Sequence, residues 1–153
     1  MKPIAVGSDQ NGLELASQVT AHLRARGFDI VEYTPDADSE DDYPDVAGRV
    51  SRAIVNEKHE RAILVCGTGL GMAIAANKFP GIRAASVTDT YSAERARKSN
   101  DAQVLCLGSE IVGRALALTL VDHWLASEFA GGASTRKLEK LKALDVLTFS
   151  ADS

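Results

Sequence analysis

This chain of 153 residues has only two cysteines, three histidines and one tryptophan, and it contains no long apolar run. Each shortage excludes something. Cys66 and Cys106 both sit in apolar, strand-like surroundings, so a disulfide framework is not expected and a reducing, cytoplasmic setting is. No segment is apolar for long enough to span a bilayer, and no signal-peptide pattern opens the sequence. A net charge of -4 and a pI near 5.4 argue against nucleic acid as a main partner. His22, His59 and His123 are scattered without a carboxylate at ligand spacing, so neither a zinc or iron site nor any other metal or cofactor is expected. The acidic run Asp36, Asp38, Glu40, Asp41, Asp42 lacks the glycine and terminal glutamate of a calcium loop and reads as a solvated loop. Repeats and low-complexity segments are absent.

What is present is a regular alternation of strand and helix signals along one domain, residues 1–153. Strands are read at Pro3–Gly7, Asp29–Tyr33, Arg61–Val65, Ile82–Val87 and Gln103–Leu107. Helices are read at Leu13–Arg26, closed by Gly27, at Val46–Asn56 and from Met72 to Asn77. Further helices are read at Thr90–Lys98, at Ile111–Leu125 and over about Thr135–Leu144. The apolar strands alternating with helices predict an α/β fold with a parallel sheet covered on both faces. In such sheets the ligand crevice lies at the C-terminal strand ends. Asp9, Cys66, Asp89 and Gly108 all fall there. Trp124, on the long helix, reads as core or as a subunit contact.

The densest feature is Cys66-Gly67-Thr68-Gly69-Leu70-Gly71-Met72, between a strand and a helix. A cysteine just before a helix N-terminus is placed to favour thiolate. Alternating glycines can turn backbone N–H groups toward an anionic oxygen. A base beside an oxyanion cradle suits proton abstraction next to a carbonyl. Two plainer readings stay open: Cys66 as a packing residue, and the glycines as a tight turn only. The spacing does not match the dinucleotide fingerprint.

Several segments carry a resemblance to a known family. They are Ile4-Ala5-Val6-Gly7-Ser8-Asp9, the Cys66–Met72 block, Asn77-Lys78-Phe79-Pro80-Gly81-Ile82-Arg83-Ala84-Ala85, Asp89-Thr90-Tyr91-Ser92-Ala93 and Asn100–Leu105. In order and over nearly the whole chain they resemble the ribose-5-phosphate isomerase B / galactose-6-phosphate isomerase family. The resemblance implies a Rossmann-like three-layer sandwich with a five-stranded parallel sheet. It further implies a homodimer or homotetramer with shared active sites, its C-terminal helix packing on a neighbour. The implied chemistry is a metal-free aldose–ketose interconversion of a sugar phosphate through a cis-enediolate. Carried over by position, Cys66 is the base, with Thr68 and the N–H groups of Gly69, Leu70 and Gly71 stabilising the enediolate in the turn that Gly67 opens. Asp9, Gln10, Tyr43, Ser99 and Asn100 contact substrate, Asn100 near the carbonyl end and from the neighbouring subunit. Cys106 stays a core residue.

Departures from the family pattern narrow the substrate. Gln10 and Ser99 stand where ribose-5-phosphate isomerases of this type carry histidines, and the second of those histidines opens the furanose ring. Serine is a poor proton shuttle, whereas a four-carbon sugar 4-phosphate cannot close a furanose at all. Ser99-Asn100 after Tyr91–Ala96 thus resembles the branch acting on tetrulose phosphates such as D-erythrulose 4-phosphate. Glu110, Ala133 and Lys137 occupy places where the family often has arginines. Ser134, Arg136 and Lys137 are the remaining phosphate candidates, although Arg136, Lys137, Lys140 and Lys142 also fit a solvated helix face. Ribose-5-phosphate isomerase itself, a galactose-6-phosphate isomerase subunit and a non-catalytic sugar-phosphate binder are the competing readings.

Overall fold

The computed structural model describes residues 1–36 and 38–146. Five strands, β1 (Ile4–Ser8), β2 (Ile30–Tyr33), β3 (Ala62–Cys66), β4 (Ala84–Ser86) and β5 (Val104–Gly108), form one all-parallel sheet in the order β2-β1-β3-β5-β4. The helices are α1 (Leu13–Ala25), α2 (Tyr43–Val55), α3 (Leu70–Ala76), α4 (Thr90–Lys98), α5 (Arg114–Leu125) and α6 (Ala133–Ala143), followed by a 3-10 turn at Leu144–Val146. Strand alternation sorts the core into two layers. Ile4, Val6, Ile63, Val65, Leu105 and Leu107 face α1, α4 and α5, while Ala5, Leu64, Cys66, Val104 and Cys106 face α2 and α3. The result is a three-layer α/β sandwich. Trp124 lies in the first layer, fully buried.

Helix limits follow local chemistry. α1 ends as its glycine predicts: Gly27 has φ 89, and Phe28 N–H donates back to the Leu23 carbonyl. α2 begins at Tyr43 rather than Val46, because Asp42 and Asp45 form a reciprocal capping box with Pro44 in the first turn. α3 begins at Leu70 rather than Met72. α5 starts only at Arg114, since Ile111 and Val112 both donate to the Gly108 carbonyl in a turn instead of a helix. β4 is an edge strand shorter than the apolar run Ile82–Val87. At its start, Ile82 N–H bonds the Phe79 carbonyl in a turn and Arg83 N–H bonds the Gln103 side chain.

The two ends of the sheet differ. At the N-terminal end, buried Arg61 donates to the carbonyls of Leu125 and Ser127 and to Glu128, and its guanidinium stacks over Trp124 at 5.5 Å. One cation thereby satisfies carbonyls at the end of α5 that have no partner within the helix. The C-terminal end carries the Cys66 loop. No helix among the described residues is long and apolar enough to cross a membrane.

Candidate active site

Cys66 is the last residue of β3, level with Gly108 of β5, and it is buried with its side chain toward α2 and α3. Its Sγ accepts the Gly69 N–H at 3.1 Å. Thr68, exposed at the loop tip, accepts the Leu70 N–H on Oγ1 at 3.3 Å. Two N–H groups of the expected cradle are therefore spent on the loop's own side chains. Among the described residues, no acceptor meets the N–H of Gly71, which leaves it open to an incoming oxygen. The loop depends on Gly69, whose φ of 78 suits glycine and whose Cβ would sit 2.9 Å from the Leu107 carbonyl carbon.

Neighbouring strands deliver the other residues of this end. Asp9 follows β1, with its N–H on the Val65 carbonyl and its carboxylate accepting the Gly12 N–H at 2.9 Å. Gln10 is exposed beside it. Tyr43, the first residue of α2, lays its ring directly against Gly71. Gly67 lies beneath the Glu110 carboxylate, whose carbon would be 3.6 Å from a Cβ on Gly67. The structure thus gathers Asp9, Gln10, Tyr43, Cys66, Gly67, Thr68, Gly69, Leu70 and Gly71 at one end. Glu110, read from sequence only as a missing arginine, joins them at the rim.

Ser99 and Asn100 are not among them. They precede Val104, and a five-residue strand separates that end of β5 from Gly108 by about 13 Å. Ser99 ends α4, and its Oγ accepts Arg95 Nε at 2.8 Å. Ser134, Arg136 and Lys137 stand on the first turns of α6, after a segment tied to the same end by Ala130 N–H on the Lys98 carbonyl. A groove of about 690 Å³ runs between β4, α4 and the α6 segment, with Arg83, Arg95 and Asn100 in its wall. It lies apart from the Cys66 loop. Sequence inspection missed Arg95 as the partner of Ser99, a contact that a spacing of four on one helix foreshadows. It also missed the pairing of His22 with Asp122 at 2.8 Å, which no local pattern announces across 100 residues of sequence.

Cys106 also faces the α2–α3 layer but is fully enclosed, and burial pushes its thiol well above the usual range. The two cysteines thus sit on adjacent strands of the same layer, Cys66 at the end of β3 and Cys106 within β5.

Residues 4–141 match the model of the family described as Ribose/Galactose Isomerase. The chain belongs to that family. It is 48% identical over 142 residues to a D-erythrulose-4-phosphate isomerase of Pectobacterium atrosepticum, covering 92% of this chain and 93% of the relative. It is 40% identical over 145 residues to ribose-5-phosphate isomerase B of Escherichia coli, covering 95% and 97%. Among solved structures, a Clostridium thermocellum ribose-5-phosphate isomerase B superposes with a TM-score of 0.90 at 41% identity, over 95% of this chain and 97% of that one. This member of the ribose/galactose isomerases is an aldose–ketose isomerase with the fold of those relatives.

Proposed function

We propose that the protein interconverts a four-carbon ketose phosphate and its aldose, with Cys66 as the base and a second copy of the chain completing each site. The observation that carries the chemistry is the Gly69 N–H donating to a buried Cys66 Sγ beside Thr68, because it gives a thiolate a fixed donor. Cys66 removes a proton from C1 of the ketose. The C–H electron pair forms the C1–C2 double bond, and the C2 carbonyl pair moves onto its oxygen. Thr68 Oγ1 and the Gly71 N–H stabilise that oxygen. Return of the proton from Cys66 to C2, with transfer of a hydroxyl proton from O1 to O2, leaves the aldehyde at C1. Asp9, Gln10 and Tyr43 hold substrate hydroxyls.

Three observations favour a shared site. Ser99 and Asn100 lie at the opposite end of their own sheet from Cys66. The apolar side chains of Leu70 and Ile74 are exposed beside the loop. Among the described residues of the C-terminal segment only Leu138 of α6 is buried, while Leu141, Leu144 and Val146 face outward, as suits a helix that packs on a neighbour. Ser134, Arg136 and Lys137 then bind the phosphate of the neighbour's substrate. The four-carbon reading rests on Ser99: its oxygen is already engaged by Arg95, so it is poorly placed to open a ring. The name of the 48% identical relative agrees with it.

The test is deuterium incorporation followed by NMR with D-erythrulose 4-phosphate, D-erythrose 4-phosphate and ribose 5-phosphate. Label entering C1 of the four-carbon ketose and C2 of its aldose, with ketose–aldose conversion and its loss in Cys66→Ala, is the expected result. Rapid turnover of ribose 5-phosphate would overturn the substrate assignment, and full activity in Cys66→Ala would overturn the mechanism.

A further inference from the structure

The turn that follows α4 is held almost wholly through its backbone. The carbonyls of Asn100 and Asp101 both accept Arg83 Nε at 3.1 Å. Asp101 N–H donates to the Arg97 carbonyl at 3.0 Å, and Ala102 N–H donates to the Ala96 carbonyl at 2.8 Å. Arg97 Nη1 returns to the Ala102 carbonyl at 2.8 Å. The Asp101 carboxylate joins the two arginines, with one oxygen 3.1 Å from Arg97 Nη2 and the other 3.3 Å from Arg83 Nη2. Asp101 itself has φ 47, a left-handed conformation that a non-glycine residue keeps only where its surroundings enforce it. Arg97 is buried, and its second carboxylate, Glu128, approaches from the segment after α5 at 3.7 Å.

Asn100 presents the opposite case. Its backbone is clamped, yet its side chain is exposed and meets no hydrogen-bond partner among the described residues. An amide with four unused bonding positions on a rigid stalk is built to be presented to something outside its own chain.

We propose that Asp101 is a positioning residue. Clamped between Arg83 and Arg97, it fixes the Asn100 backbone so that the carboxamide is delivered in one orientation to the carbonyl end of the substrate in the neighbouring subunit. This inference rests on the shared-site reading above. Asp101 acts through geometry: it touches neither substrate nor Cys66. The carboxylate keeps the two guanidinium groups together, and Arg83 Nε in turn holds both turn carbonyls. Release of either arginine lets Asn100 swing, and a displacement of about 1 Å at such a group is enough to slow a reaction markedly.

The experiment compares Asp101→Ala, Asp101→Gly and Asp101→Asn with Asn100→Ala in the full-length protein, by steady-state kinetics and thermal melting. Asp101→Gly keeps the left-handed backbone without strain, so it is the variant that retains the fold if Asp101→Ala does not. The expected result is a kcat lowered about 10- to 100-fold in Asp101→Ala and Asp101→Gly, with KM changed less than about threefold. Asp101→Asn, which tolerates the same φ but offers one acceptor for two guanidinium groups, is expected to fall between wild type and Asp101→Gly in kcat. A kcat within about twofold of wild type in Asp101→Gly, while Asn100→Ala is inactive, overturns the positioning role alone. An active Asn100→Ala overturns the role of Asn100 and this inference with it. A kcat that only tracks Tm across the series also overturns it, because that is the signature of a purely structural clamp.

Discussion

The ring of Tyr43 occupies the space that any side chain on Gly71 would need: a Cβ there would lie 2.6 Å from Cε1 and 2.8 Å from Cζ. The first residue of α2 and the second of α3 are thereby locked together beside the Cys66 loop. Gly71→Ala must push the ring away, and an activity loss of about tenfold in kcat/KM is expected. In a Tyr43→Ala background the same substitution meets no ring and adds little. A double-mutant cycle on kcat/KM reads this as a coupling of at least about 1 kcal/mol. Additive effects would show that the contact carries no function.

The two thiols should separate cleanly in a labelling experiment. Cys66 lies at the site and Cys106 is sealed in the core, its thiol kept protonated by burial. Iodoacetamide is expected to add a single label to the folded protein, at Cys66, with loss of activity. A second label should enter only on unfolding, and intact-mass spectrometry reads both. Labelling of Cys106 in the folded state would contradict the burial that defines it.

Asp89 caps α4 by accepting the Ser92 N–H at 2.7 Å, and that bond holds its carboxyl below the usual range. The ionised form is the one the fold favours. Its contribution is present above about pH 4, the ordinary carboxylate range, and fades as the pH falls through the lower folded value. Asp89→Ala is expected to lower Tm at neutral pH, and the gap to wild type should close in acid. A gap that stays constant with pH would mean that the cap acts without its charge.

Arg61 is the heaviest single tie at the other end of the sheet. Arg61→Met keeps the aliphatic stem against Trp124 but strips the donors from the Leu125 and Ser127 carbonyls. A loss of about 3 kcal/mol is expected in denaturant unfolding, with the isomerase activity of the folded fraction unchanged. A loss below about 1 kcal/mol would show that water replaces the guanidinium there.

The sequence revealed the succession of strands and helices because apolar strands and glycine-closed helices carry their own periodicity. All five strands and six helices are where Ile4–Val6, Ile63–Val65, Leu105–Leu107, Gly27 and the rest announced them. The Cys66–Gly71 loop was also legible, since glycines next to a cysteine at a strand end are rare and local. Helix starts were less so: Pro44 reads as a break until the Asp42–Asp45 box is seen to make it a first-turn residue. The apolar pair Ile111–Val112 reads as helix although Gly108 folds it into a turn. The clamp on Asn100 was invisible for a different reason. Arg97 and Asp101 stand four apart, but only the approach of Arg83, just before β4, to the end of α4 completes the group.

The strand order also bears on synthesis. β4 is made before β5 but pairs only with it, at the outer edge, so a chain emerging from its N-terminus leaves β4 without a ladder until β5 inserts. Gly108, level with Cys66, is the last residue of that inserting strand. The thiol therefore waits, its loop unsupported on one flank, until Gly108 has emerged. A nascent fragment ending before Val104 would carry every residue of the cysteine loop and still lack the wall against which that loop is set.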